Sequence, residues 1–198
     1  MRTPPTVDDR DHHGAAALVE GKSVPYDIKP LSCDPRKLRG LSEKLIVSHW
    51  ENNYGGAVKR LNAITSQLAS LDFAAAPVFT INGLKREELI ATNSMILHEL
   101  YFDGLGADGE LDRPLNEALM RDFGSVERWR AEFVAVGKAK GGGSGWVLLA
   151  GGIPILALDM YGHSYHMDYD TAAAKYVDAF MDNIRWTTMC HLHHQHAQ

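Results

Sequence analysis

Cysteine is scarce in this 198-residue chain: Cys33 and Cys190 lie near opposite ends, and no Cys-x-x-Cys pair exists. That absence removes a structural zinc knuckle and a redox dithiol, and leaves two reduced thiols in a protein expected to be cytoplasmic. Long apolar runs are missing too. The longest, Trp146–Ala150 and Ile153–Leu158, fall far short of a membrane span. No charged-then-apolar leader opens the chain, because Arg2–Glu20 is polar and broken by Pro4, Pro5 and an Asp/His run. There is no basic run either. With 20 Lys and Arg against 25 Asp and Glu, the formal charge is −5, which argues against a nucleic-acid partner. What remains, 45% hydrophobic and 23% charged residues, is the balance of an ordinary globular protein with one good core or two small lobes.

Residues 1–23 read as a disordered arm without hydrophobic period. From Ser42 to Ala69, apolar positions at Leu41, Leu45, Ile46, Tyr54, Val58, Leu61, Ile64 and Leu68 share one broad face and predict a long helix. Gly55-Gly56 is a weak or tightly packed point inside it. Leu71–Gly83 reads as a connector from which Pro77 excludes a helix, and a second helix is expected from Lys85 to Phe102. Pro114–Phe123 and Val126–Lys140 predict two further helices, and Gly141–Gly145 a flexible entry to a strand. Trp146–Ala150 and Ile153–Asp159, joined at Gly151-Gly152, form a hairpin signature, and a last helix covers Thr171–Met189. The expected class is α+β: an N-terminal long helical hairpin domain (24–106), a C-terminal lobe with a small antiparallel sheet (107–189), and a His-rich tail (190–198) that reads as frayed and solvated.

Four residues stand out by placement. His49 and His98 lie midway along the two long helices, Asp159 ends the second strand, and His163 follows four residues later. Two antiparallel helices bring one imidazole each to a common point, and a strand end plus one turn supplies a carboxylate and a third imidazole. Three neutral imidazoles and one carboxylate suit Fe, Mn, Zn, Co or Ni and suit Ca or Mg poorly. Taken singly, each is a weak signal, since helix histidines are more often packed or surface residues than ligands.

Around these positions the chain resembles the iron/manganese superoxide dismutases, from about Pro25 to Trp186. Pro25-Tyr26-Asp27 is similar to that family's opening, and Ser42…His49 to its first ligand helix. His98-Glu99-Leu100-Tyr101-Phe102 stands where the family has His-x-x-Phe-Trp. Arg121–Ser125, Gly143-Ser144-Gly145-Trp146, Asp159–Tyr165 and Ala179-Phe180…Asn183-Ile184…Trp186 supply four more landmarks in order. The resemblance implies one Fe or Mn ion per chain (with Zn as a further option) held by His49, His98, Asp159 and His163, superoxide as substrate, and a homodimer.

The surroundings depart from the family pattern. Asn53 replaces a second histidine, Ala57 a gateway tyrosine, Tyr161 a tryptophan, and Gly162 the glutamate that crosses the dimer. The glutamine that contacts metal-bound solvent is replaced at both of its alternative positions, by Ser94 and Gly142. Tyr54, Ser94 and Tyr161 are therefore the candidate catalytic residues, Tyr54 provided the first helix carries a one-residue bulge. Two alternatives stand beside a dismutase: a metalloprotein with another redox or hydrolytic activity, its pocket opened by Gly55, Gly56, Ala57 and Gly162, and a non-catalytic metal-binding paralogue.

Overall fold

The computed structural model describes residues 25–196. The expected arm at 1–23 lies outside them. Ser42 opens the first helix as an N-cap, its hydroxyl accepting the Leu45 N–H at 3.0 Å. Helix α1 (Glu43–Ser48) passes without a break into a π-helical turn, His49–Tyr54, and on into α2 (Gly55–Ala69). In the wide turn the Asn52 side-chain amide donates to the Ser48 carbonyl at 3.0 Å. The bulge on which the candidacy of Tyr54 depends is thus present.

Helix α3 (Val78–Asp103) begins well before the expected Lys85. Pro77, expected to exclude a helix, instead starts one. It occupies the N-cap, where a missing N–H is no loss, and its carbonyl accepts from Thr80 and Ile81. Val78 and Phe79 are 81% and 79% exposed, so no buried stripe marked this first turn in the sequence. Helices α2 and α3 pack as a hairpin through Val58, Leu61, Ile64 and Leu68 on one side and Ala91, Met95 and Phe102 on the other.

Asp112 caps α4 (Arg113–Phe123), which closes on Gly124 at a left-handed φ of 86°, and Ser125 caps α5 (Val126–Ala139). Strands β1 (Trp146–Ala150) and β2 (Pro154–Asp159) form a two-stranded antiparallel sheet that pairs Trp146 with Asp159. β1 alternates in burial, whereas β2 is buried from Ile155 onward because helices lie against it. A 3₁₀ turn (Gly162–Ser164) and the short α6 (His166–Tyr169) follow.

The closing helix differs from expectation. Instead of one helix over Thr171–Met189 there are two, α7 (Ala173–Asp182) and α8 (Trp186–His196). The break at 183–185 bonds to the end of α3: the Asn183 carbonyl accepts from Gly106 and Ala107, and the Arg185 N–H donates to Gly104. Helix α8 also absorbs most of the expected frayed tail. Met189 and Cys190 are buried, and His194 pairs with the Asp112 carboxylate at 2.8 Å. Among the described residues no helix is long and apolar enough to cross a membrane. The core, built on Leu45, Ile46, Leu61, Tyr101, Leu156, Leu158, Tyr176 and Phe180, surrounds the point where the π turn, α3 and β2 meet.

Candidate metal centre

His49, His98, Asp159 and His163 meet at that point, with one donor atom from each lying within 4.8 Å of all the others. The π turn presents His49, α3 presents His98, β2 ends at Asp159, and the 3₁₀ turn brings His163 back over the strand end. His49, His98 and Asp159 are buried, while the His163 side chain keeps 30% of its surface exposed. Asp159 Oδ2 is the hub: it stands 3.1 Å from Nε2 of His49, 3.1 Å from Nε2 of His163 and 3.5 Å from Nε2 of His98.

The chemistry of this cluster fits a cation. Both ring nitrogens of His49 and Nε2 of His98 are buried without a hydrogen-bond partner. The 3.1 Å approach of His49 to Asp159 lacks hydrogen-bond alignment, as expected of two donors aimed at a third centre. Buried polar atoms left unpaired cost about 1–3 kcal/mol each; a metal ion would recover that cost at Nε2 of His49 and Nε2 of His98, the two that stand against Asp159. Burial pushes His49 down and His98 down to about 4, the His49 charge adding to the effect on His98. Burial alone would raise Asp159, but the nitrogens of His163 and His49 outweigh it and hold the carboxyl well below the usual range. Neutral His49 and His98 and an ionised Asp159 are the protonation states that bind metal.

Supporting contacts orient the donors. The Ser94 carbonyl accepts from His98 Nδ1 at 2.6 Å, which fixes the tautomer and leaves the Nε2 lone pair facing the cluster. The Ser94 hydroxyl lies 3.3 Å from the same Nδ1, so this candidate sits behind the ring rather than on the cluster side. Asp159 Oδ1 accepts the Tyr161 N–H at 2.9 Å, and its main-chain carbonyl accepts the Tyr176 hydroxyl at 2.8 Å. Tyr176 in turn stands 3.3 Å from the Tyr101 hydroxyl, and the Tyr101 ring packs against His49. Tyr161 stacks on His163, the part-exposed member of the cluster, at 5.7 Å between ring centroids and is itself 38% exposed. Tyr54 is buried 6.5 Å from His98 by the same measure, but its hydroxyl accepts from the Lys29 N–H and donates to Glu99.

Sequence reasoning missed Tyr101 and Tyr176, and the role of the Ser94 main chain. Tyr101 stood in the His98–Phe102 landmark without being singled out, Tyr176 had no motif to flag it, and a backbone acceptor leaves no mark in residue identity. Of the four positions expected to open a pocket, Gly56 and Gly162 meet no atom nearer than His166 at 3.7 Å, and the other two are filled. Gly55 is closed by Ile28, Ala57 is buried, and Phe102, Tyr101 and Trp146 pack around the imidazoles. A cavity of about 20 Å³ beside Tyr54, lined by Lys29, Trp50 and Glu99, is room for a water and little more.

The relatives of this chain carry the same theme. Residues 148–191 match the family described as iron/manganese superoxide dismutases, C-terminal domain. An iron superoxide dismutase of Cupriavidus metallidurans is 68% identical over 81% of this chain and 92% of its own length. One from Aquifex pyrophilus is 31% identical, covering 77% and 84%, and a manganese superoxide dismutase of Haloferax volcanii is 30% identical, covering 81% and 92%. The chain belongs to the iron/manganese superoxide dismutase family.

Proposed function

We propose that the protein is a superoxide dismutase that converts superoxide to oxygen and hydrogen peroxide at one iron ion held by His49, His98, Asp159 and His163. The observation that carries this reading is the convergence of four donors on one point where two imidazole nitrogens, Nε2 of His49 and Nε2 of His98, have no other partner. The bound ion would supply a one-electron couple between its 3+ and 2+ states, oxidising one superoxide and reducing the next with the uptake of two protons. The single carboxylate, Asp159, balances part of the ion's charge, and Tyr161 N–H holds its second oxygen in place. Tyr101, Phe102 and Trp146 pack on the imidazoles of His49 and His98, and a small anion would enter beside the partly exposed His163 and Tyr161. On this reading Tyr161 is the phenol at the mouth, Ser94 orients His98, and Tyr54 acts through its link to Glu99.

Iron is the metal we favour, because the 68%-identical relative is an iron enzyme. We also propose a homodimer in the cytoplasm, where Cys33 and Cys190 remain free thiols, and lobes divided at about residue 106. The packed interior around the imidazoles disfavours a pocket for a larger substrate.

The test is metal content and superoxide decay of the full chain loaded with iron, beside His98→Ala. We expect about one ion per chain that His98→Ala loses, and decay that scales with that ion. Metal held by His191, His193, His194 or His196 would persist in the variant and is subtracted. Decay by the loaded protein no faster than that of the free aqua ion would refute the reading.

A further inference from the structure

His49 has to be placed against Asp159 and His163, which belong to a chain segment more than a hundred residues away. Metal–donor distances tolerate errors of only about 0.2 Å. Helix α1 is a short rigid rod, so the position of its first residues fixes the position of His49 at its end.

Those first residues are gripped from the far end of the chain. Asn183, fully buried, accepts the Arg39 N–H on Oδ1 at 2.8 Å and donates Nδ2 to the Arg39 carbonyl at 2.7 Å. Nδ2 also donates to Ala179 at 2.7 Å, so every polar atom of the side chain is used. The Tyr169 hydroxyl donates to the Gly40 carbonyl. Gly40 has a left-handed φ of 69°, and a Cβ there would meet Tyr169 Oη at 2.8 Å. Asp168 takes the N-cap residue itself, accepting the Ser42 N–H on Oδ2 at 2.6 Å and the Ser42 hydroxyl on Oδ1 at 2.7 Å. Residues 39–42 are thus held at three points by groups 126 to 144 positions away in sequence. Asn183 reaches further still: its own carbonyl accepts from Gly106 and Ala107, just beyond the helix that carries His98.

We propose that Asn183 and Asp168 are positioning residues for the metal centre. By clamping residues 39–42 to the segments around α6 and α7, they set the separation of His49 from the Asp159–His163 pair, and through it the affinity of the site. Neither residue touches a donor atom in the hydrogen bonds above; both act through the start of α1. The inference rests on the four-donor reading of the centre.

Manganese(II) affinity, measured by competition with a chelator, tests it on the full chain alongside melting temperature. Asp168→Ala is expected to weaken binding about tenfold and Asn183→Ala up to about 100-fold, the range seen when outer partners of metal ligands are lost. Asp168→Asn should stay near wild type, since an amide still accepts the Ser42 N–H and donates to its hydroxyl. Ser125→Ala serves as a control. It removes the α5 cap, whose hydroxyl accepts the Arg128 N–H at 3.0 Å, and should lower the melting temperature by about 2–4 °C without changing affinity. If Asp168→Ala binds manganese as tightly as Ser125→Ala does, the latch is refuted. Should Asn183→Ala fail to fold, the Asp168 pair decides alone. Failure of the four-donor reading looks different: wild type and His98→Ala would then bind the ion equally.

Discussion

Replacing Tyr54 by phenylalanine tests the buried link between the π turn and α3 in two pH regimes with opposite signs. At neutral pH the change strips the Lys29 N–H of its acceptor and Glu99 of a donor, at 2.9 and 3.0 Å. With the ring 1% exposed, loss of this pair costs about 1–2 kcal/mol, or about 3–6 °C in melting temperature for a domain of this size. In alkali the penalty reverses. Burial, helped by donation to Glu99 and by that carboxylate's charge, pushes the Tyr54 phenol from 10.0 up to about 12. A raised acid favours its neutral form in the fold, so the stabilisation is complete below pH 10 and is lost as pH climbs through 12. At about pH 11 the wild type has lost about 1.4 kcal/mol that Tyr54→Phe cannot lose. The two melting curves should therefore stand apart at about pH 8 and come together near about pH 11. Circular dichroism melts in matched buffers measure this. A gap that stays constant over that window would show that the hydroxyl is not held against Glu99 as described.

Two substitutions probe the surroundings of the ligands. Ser94→Ala should leave iron content and superoxide decay within about threefold of wild type, because the closer acceptor for His98 Nδ1 is the Ser94 main-chain carbonyl; a loss approaching that of His98→Ala would show that the hydroxyl is the working group. Gly137→Ala would place a Cβ 2.9 Å from Leu158 and 3.2 Å from Val177. Overpacking of about 1–3 kcal/mol is set against about 1 kcal/mol of gained helix propensity, so a lower melting temperature is expected and a higher one would contradict the packing.

The ligand set was legible in the sequence because ordered family landmarks surround residues whose chemistry suits a transition metal. Placement of an imidazole midway along each long helix and an Asp-x-x-x-His at a strand end was a weak signal alone; the resemblance to the iron/manganese superoxide dismutases joined the four into one set. Helix starts defined by side-chain caps were legible too, as at Ser42 and Ser125. Elements defined by long-range backbone bonding were not. Nothing local in Asn183-Ile184-Arg185 shows that their hydrogen bonds go to Gly104, Gly106 and Ala107. Pro77 misled for a related reason: the same residue that breaks a helix from within begins one from the cap. The tail at Cys190–His196 looked solvated by composition, yet burial of Met189 and Cys190 on one face is enough to hold it as helix.

The π turn has a consequence for how this chain can vary. Each residue of a helix turns the chain by about 100°, so His49 on one side of the wide turn and Val58, Leu61 and Ile64 on the other are locked in mutual phase. Deleting one residue between His49 and Tyr54 would restore ordinary helical winding and swing either the imidazole out of the centre or the apolar stripe out of the core. Side chains between His49 and Tyr54 are free to drift, as Asn53 illustrates; the length of the stretch is not. In a library of variants, single-codon deletions here should be the least tolerated of any exposed stretch of α1 or α2, even where every substitution at the same codons survives.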